Sequence, residues 1–374
     1  MFHDQPTPFL SVDKAVMTAN ISRMAKFAAA RGLSLRPHAK THKNWDIARL
    51  QVQSGAVGLT VATVGEAEIF ARGGFGDLFI AYPLWVDDAK AARIAALLST
   101  TTQLTIGVDS IEGAARLGKF LSSVEGSDRL KVRVEIDSGH HRSGIIPERA
   151  GDVARAAQEA GLDVEGIFTF PGHGYGLDRT REQAAEDELR ALTIARDALL
   201  TSGINCKVVS GGSTPTAALV NPQLSGTDPV IDELRPGVYV FNDAQQWEVG
   251  SCSNEDIALT AVATIVSIRG NRLVVDAGSK ILGADRSPWA TGYGRLLDYP
   301  DARVVALSEH HATIEFPDEF NPREPFHLGD RLKLVPNHVC NAVNLVDHFL
   351  VGTNGVDEQR FEEQWHVHAR GANT

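Results

Sequence analysis

The chain has 374 residues, a formal net charge of −11, 43% hydrophobic and 22% charged residues. That length exceeds one ordinary domain, and the composition is that of a soluble globular enzyme, so two domains are expected, one of them large enough for a barrel. The acidic balance and scattered Lys and Arg exclude a nucleic-acid partner, and three cysteines in so long a chain exclude a disulfide framework and favour a reducing compartment.

The opening Met1-Phe2-His3-Asp4-Gln5-Pro6 has neither a basic nor an apolar leader segment. No apolar stretch approaches the ~20 residues that span a bilayer. A cytoplasmic protein without membrane contact is therefore expected.

Up to residue 245 or so, apolar β-rich runs alternate with longer helix-period stretches. Residues 9–12 precede a helix over 15–30 that Gly32 ends, and 35–40 is the next strand. Strand 58–63 runs into Val64-Gly65-Glu66-Ala67-Glu68, which opens a helix. Strand 78–81 stops at Pro83, and 104–108 stops at Asp109. Strand 132–136 runs into Asp137-Ser138-Gly139, and 164–170 into Pro171-Gly172-His173. Strand 207–209 runs into Ser210-Gly211-Gly212, and 239–241 follows Arg235-Pro236-Gly237. The linkers, such as 150–160 and 189–200, carry Ala-rich apolar periodicity.

So many βα units in series predict an α/β fold with a parallel sheet, closed as a (β/α)8 TIM-type barrel. A Rossmann sheet lacks its fingerprint, since no G-x-G-x-x-G follows the first strand. Gly172-His173-Gly174-Tyr175-Gly176 has another spacing and follows a late strand. Beyond the barrel the texture changes to short strands, 258–268, 272–277, 302–307, 312–316 and 331–335, parted by turns such as Arg269-Gly270-Asn271. The expected division is a barrel over 1–248 and a mostly-β domain over 249–374, with Gly371-Ala372-Asn373-Thr374 frayed.

Candidate chemistry collects at strand ends, where (β/α)8 enzymes keep their catalytic groups. Lys40 lies in Arg36-Pro37-His38-Ala39-Lys40-Thr41-His42-Lys43. The basic neighbours favour its neutral form, and a neutral amine can hold an aldehyde as a Schiff base. Taken alone, a basic surface loop is the commoner explanation of these residues.

Gly212, Ser213 and Thr214 end a late strand and open a helix, as an anion cradle does. Gly237 and Tyr239 come one unit later, where barrels complete a phosphate site. A Ser/Thr N-cap or a glycine turn explains either feature by itself.

Arg142 could donate to a phenolate or carboxylate, with Asp137 orienting it, or form a surface salt bridge. His173 and Tyr175 could touch an aromatic ligand or pack the barrel mouth. His338 and Cys340, two apart on an extended segment, could share one metal, with Ser308-Glu309-His310 adding a further group. A buried cysteine beside a turn histidine is the commoner source of such a pair. His366 and His368 read as surface or packing residues.

In order along the chain, these motifs resemble the D-serine dehydratase / D-threonine aldolase family of fold-type III pyridoxal-phosphate enzymes. The resemblance runs from Thr7-Pro8 and the Lys40 segment through Thr63-Val64-Gly65-Glu66, Asp137-Ser138-Gly139 and Gly212-Ser213-Thr214-Pro215-Thr216. It continues through Arg235-Pro236-Gly237-Val238-Tyr239, Asp276-Ala277-Gly278-Ser279-Lys280 and His338-Val339-Cys340.

It implies an alanine-racemase-like barrel with a β domain, a homodimer, and pyridoxal 5'-phosphate carried on Lys40. Arg142 would meet the cofactor's phenolic oxygen, with Tyr175 and His173 by the ring. Gly212, Ser213, Thr214, Gly237 and Tyr239 would hold its phosphate. His338 and Cys340 would bind a divalent metal, zinc over manganese or magnesium because thiolate is soft.

The implied activity is lyase chemistry on a β-hydroxy D-amino acid. A dehydratase gives a 2-keto acid and ammonia, whereas an aldolase gives glycine and an aldehyde. Dehydratases of this family carry H-x-C where aldolases carry H-x-D, so Cys340 favours the dehydratase. A non-catalytic B6 carrier and a cofactor-free metal hydrolase are the alternatives from other classes. The first lacks a β domain, and the second leaves Lys40 without a task.

Overall fold

The structure, a computed structural model, describes residues 5–177, 180–220, 230–354 and 359–374. In chain order it begins with β1 (Phe9–Asp13), α1 (Lys14–Ala29), β2 (Ser34–Leu35), α2 (Trp45–Gln53), β3 (Leu59–Val61) and α3 (Val64–Arg72). Next come β4 (Asp77–Pro83), α4 (Asp88–Thr100), β5 (Gln103–Val108), α5 (Ile111–Leu121), β6 (Leu130–Ile136) and α6 (Ala150–Glu159). Then follow β7 (Asp163–Thr169), α7 (Thr180–Thr201), β8 (Val208–Gly211), α8 (Thr214–Ala217), β9 (Glu233–Leu234) and α9 (Ala244–Glu248). The remainder is β10 (Leu259–Arg269), β11 (Arg272–Val275), α10 (Ser279–Leu282), β12 (Gly294–Leu296), β13 (Arg303–Leu307) and β14 (Ala312–Glu315). It ends with β15 (Arg331–Pro336), α11 (Val339–Asn344), β16 (His348–Asn354) and β17 (Gln359–His366).

Two compact units form. One is Met24–Lys40, Ile47–Gly237 and Ala372–Thr374; the other is Met1–Arg23, Thr41–Asp46 and Val238–Gly371.

The first unit is the barrel. Its eight strands pair in parallel in the order β2-β9-β8-β7-β6-β5-β4-β3. The ends of that order meet: the Ala39 amide donates to Thr60 O at 2.8 Å, and the Thr60 amide donates to Pro37 O at 2.9 Å. The sheet is closed, as the βα repeats predict. Covered on both faces, its strands read as apolar runs, Leu78, Phe79, Ile80 and Ala81 being buried in succession. The helices start on ordinary caps: Thr63 accepts from the Glu66 amide, Asp87 from Lys90 and Ser110 from Gly113.

Charge, too, is buried in this barrel. Glu233 accepts from Arg36 Nε at 2.8 Å, Arg133 Nη1 at 2.6 Å and Ser210 Oγ at 2.7 Å. Arg36 also grips Asp77 at 2.5 Å, and Arg133 grips Glu165 at 2.8 Å. Gly58 makes room for this cluster, since a Cβ there would lie 2.2 Å from Arg36 Nη1.

The second unit is a nine-stranded sheet in the order β11-β14-β13-β12-β15-β10-β1-β16-β17. It corrects the reading of 9–12 as a barrel strand. β1 pairs antiparallel with β10, Phe9 opposite Val262, and parallel with β16. A short apolar run fits either sheet, and long-range pairing decides which one takes it. The last barrel strand is β9 rather than 239–241, where Val238–Val240 form a 3-10 turn. Two residues, one a buried Glu, carry no strand pattern.

The expected fraying of the last residues is not what the structure shows. In the barrel unit the Gly65 amide donates to Thr374 O at 2.6 Å, and Thr63 Oγ1 donates to Ala372 O at 2.6 Å. Among the described residues no helix is long and apolar enough to cross a membrane.

Candidate active site

Lys40 lies just past β2, at the carboxyl end of the barrel, and is half-buried. Its Nζ donates to Tyr82 Oη, on β4, at 2.9 Å. The amine lies 5.5 Å from the centre of the Tyr82 ring and 6.0 Å from that of Phe170. The guanidinium of Arg142, in the loop after β6, covers the same two rings at 5.1 and 4.9 Å. Tyr175 is tilted against Phe170 with centroids 6.1 Å apart, and the His38 ring meets Tyr82 edge-on at 6.3 Å. Three strand ends thus bring Lys40, Arg142 and Tyr175 round two aromatic faces.

The positive field expected of the Lys40 segment is rearranged. Arg36 is neutralised by Glu233 and Asp77, so Arg142 is the nearby cation. Burial works to raise the Tyr82 phenol, but the Lys40 ammonium, its hydrogen bond and Arg142 bring it below the usual range.

Asp137 does not orient Arg142. It accepts from the Gly139 and His141 amides at 2.9 and 3.0 Å and from the His141 ring at 2.7 Å, which folds the loop that presents Arg142. Behind that loop lies buried Glu135, bonded by Ser143 Oγ at 2.9 Å. Burial pushes its carboxyl up to about 6, against the Ser143 bond and Arg142.

His173 lies against Gly139, where a Cβ would come 3.2 Å from its ring. Both its ring nitrogens are buried without a hydrogen bond. Asp187 Oδ2 stands 3.4 Å from Nε2, within ion-pair range but outside hydrogen-bond geometry.

Gly212, Ser213 and Thr214 form a tight turn between β8 and α8. Gly212 has φ +77, and a Cβ there would meet Leu234 at 2.8 Å, so only glycine fits. Its amide is taken by Glu188 Oε1 at 2.7 Å, and the Ser213 amide by Thr216 Oγ1 at 2.9 Å. Those two amides shape the turn, and the Ser213 hydroxyl lies 3.0 Å from Thr216 Oγ1. Gly237 follows β9 in the same unit, while Tyr239 is buried within the other.

Glu188 is fully buried on α7, its second oxygen without a hydrogen-bond partner. Burial raises its carboxyl from 4.5 to about 7, against the Gly212 amide and Arg235. A carboxyl raised on folding contributes stability that is complete below its unfolded pKa and lost as pH rises through the folded one. The window here runs from 4.5 to about 7. On the order of 3 kcal/mol is at stake for a shift of this size. Glu188→Gln keeps an acceptor for Gly212 without the charge, so it is expected to remove that loss. Urea unfolding of both proteins on each side of the window should show the variant gaining on wild type at the higher pH. Parallel curves would refute the assignment.

In the second unit His338 caps α11 and Cys340 lies in its first turn, both half-buried. Cys340 Sγ donates to Thr41 Oγ1 at 3.2 Å, Thr41 being the residue after Lys40 in the chain. His338 Nδ1 bonds Asp285 Oδ2 at 2.8 Å, and its ring is within hydrogen-bond reach of Cys340. A carboxylate on one ring nitrogen leaves the other for a metal. The pair is chemically suited to a divalent ion, although no cluster of three or more His, Cys, Asp or Glu metal donors forms among the described residues. Asp285 is the carboxylate on the His338 ring, while Glu309, from the segment expected to add a further group, pairs with Lys280 at 2.7 Å. His368 stacks on Trp45 with centroids 4.0 Å apart, a packing role as expected.

Tyr82, Phe170, Glu188 and Asp285 are the site residues that reading the sequence misses. Tyr82 follows directly on an apolar run and carried a signal, a phenol at a strand end. Glu188 and Asp285 carry none, because each is one acid among many.

The chain matches the family model of the alanine racemase N-terminal domain over residues 12–245 and that of a serine dehydratase domain over 258–352. It is 33% identical to the D-threo-3-hydroxyaspartate dehydratase of Delftia sp. (strain HT23) over 353 residues, 89% of this chain and 90% of that one. The solved structure of the Delftia enzyme superposes with a TM-score of 0.86 at 30% identity, covering 98% of both chains. A further solved structure is that of a cysteine-to-alanine mutant of the same enzyme in the metal-free form. The 3-hydroxy-D-aspartate aldolase of Paracoccus denitrificans (strain Pd 1222) is 30% identical over 98% of this chain and 92% of its own. The D-threonine aldolase of Filomicrobium marinum superposes with a TM-score of 0.85 at 27% identity over 99% of this chain and 97% of its own.

Proposed function

This chain belongs to the fold-type III pyridoxal-phosphate family that joins an alanine-racemase-type barrel to a serine-dehydratase-type domain and is a PLP-dependent lyase, and from that premise we propose that it dehydrates a β-hydroxy D-amino acid. D-serine is the first substrate to test and D-threo-3-hydroxyaspartate the second, giving a 2-keto acid and ammonia. The observation that carries dehydration over retro-aldol cleavage is Cys340 beside His338, a soft thiolate donor of the H-x-C kind. The likeness to the Delftia dehydratase, one structure of which is a cysteine mutant in the metal-free form, supports the same reading. The likeness to two aldolases keeps cleavage to glycine and an aldehyde as the second reading.

The residues at the barrel mouth fit the cofactor. An amine stands between aromatic faces, and the glycine turn after β8 closes so tightly that a Cβ would fill it. Lys40 would carry pyridoxal phosphate, Ser213, Thr214, Gly237 and Tyr239 would hold its phosphate, and Gly212 would set the turn. Arg142 would donate to its phenolic oxygen, beside Tyr175 and His173. His338, oriented by Asp285, and Cys340 would hold the metal, zinc before manganese or magnesium. When bound, the cofactor draws electrons from the substrate Cα and the metal acts as a Lewis acid toward its β-hydroxyl. Lys40, as a free amine, takes the Cα proton, and a homodimer is the expected assembly.

The test is one incubation with pyridoxal phosphate and zinc, offering D-serine, D-threonine and D-threo-3-hydroxyaspartate in parallel. Keto acid, ammonia, glycine and aldehyde are assayed together. Keto acid and ammonia are expected, with a chelator abolishing turnover and zinc restoring it. Glycine with aldehyde as the main products would replace this reading by the aldolase, and indifference to chelation would leave His338 and Cys340 structural.

A further inference from the structure

We propose that Tyr82 is a catalytic proton partner of Lys40: its phenolate takes a proton from the Lys40 ammonium, leaving the amine its lone pair, and later returns it. The proposal rests on Lys40 being the cofactor-bearing amine but needs no particular substrate. It is carried by geometry. Lys40 Nζ donates to Tyr82 Oη at 2.9 Å, so the proton need travel only along an existing hydrogen bond. In that step an N–H bond breaks, an O–H bond forms, and an ammonium–phenolate pair becomes an amine and a phenol with no net change of charge.

The surroundings prepare the phenol for this. Arg142 covers the Tyr82 ring at 5.1 Å, supplying a second positive charge, while Glu66 on α3 opposes it weakly and the His38 ring lies edge-on at 6.3 Å. Arg36, from the same segment as Lys40, adds little, its charge being taken up by Asp77 and Glu233. The two cations outweigh the effect of burial, and the phenol is more acidic than an ordinary tyrosine.

The experiment is an ultraviolet titration of tyrosinate in the apoprotein, for wild type, Tyr82→Phe and Lys40→Ala. One of the five tyrosines is expected to ionise below the rest in wild type. That step should vanish in Tyr82→Phe and move to higher pH in Lys40→Ala. In parallel, the rate at which each apoprotein takes up pyridoxal phosphate is followed against pH. Uptake by Tyr82→Phe should be ~10²-fold slower near neutrality and climb steeply with pH, as the amine must then lose its proton to water. An early step that survives in Tyr82→Phe or stays put in Lys40→Ala, or uptake at the wild-type rate and pH profile, overturns the proposal. Failure of the chain to turn over any D-amino acid would leave the titration unaffected, so the two readings fail separately.

Discussion

Lys40→Ala is expected to abolish lyase turnover, by at least ~10⁴-fold, with the fold intact. In the proposed role the amine would supply two things at once, a covalent seat for the cofactor and a base for the substrate's Cα proton. No neighbour can replace both. Arg142 offers a guanidinium rather than an amine, and the Tyr82 phenol cannot seat an aldehyde. Structurally the change is mild, since Lys40 is half-buried on a segment fixed by backbone bonds through Ala39 and Thr60. Circular dichroism should match wild type, while the visible chromophore, and its loss on borohydride reduction, should disappear. A variant that still released ammonia from D-serine would remove Lys40 from the chemistry.

Glu233→Ala should have the largest effect on stability, about 3–5 kcal/mol lost, because it strands two buried guanidinium groups. Arg36 and Arg133 are 4% and 1% exposed, so neither can turn to water. Asp77 and Glu165 each remain for one of them, which holds the loss within that range rather than above it. The same cluster sets the response to acid. Burial would raise Glu233, but Arg133 and Arg36 bring it down from 4.5 to about 2. A depressed carboxyl contributes stability that is present above its unfolded pKa and disappears as pH falls through the folded one, here between 4.5 and about 2. Urea unfolding at neutral pH measures the first effect. Repeating it in acid should bring wild type and variant together, and a constant gap would refute the role of Glu233.

The positions of Lys40, Arg142, His173, Tyr175, Gly212 and Gly237 could be read from the chain because a local rule places each. All follow an apolar run that ends in a turn, and in a parallel barrel such ends face the same way. The barrel itself was legible for the same reason, since alternating periods need only neighbouring residues. β9 was not, as Glu233 is buried by an ion cluster that no window of sequence reveals. Nor was β1, whose apolar residues suit a barrel strand as well as the strand beside β10. β12, β16 and β17 were missed in the same way, being short or mixed in pattern.

What the sequence determined by itself is the alternation of strands and helices through most of the barrel and the residues at the ends of those strands. Tertiary structure alone decided the partners. Tyr82 meets Lys40 across 42 residues, Glu188 meets Gly212 across 24, and Asp285 meets His338 across 53. Secondary structure follows from backbone dihedrals and side-chain periodicity, which are set by near neighbours. Contacts between distant segments leave no periodic trace, and they form only once closure of the barrel and of the sheet has met the entropy of ordering the chain between them.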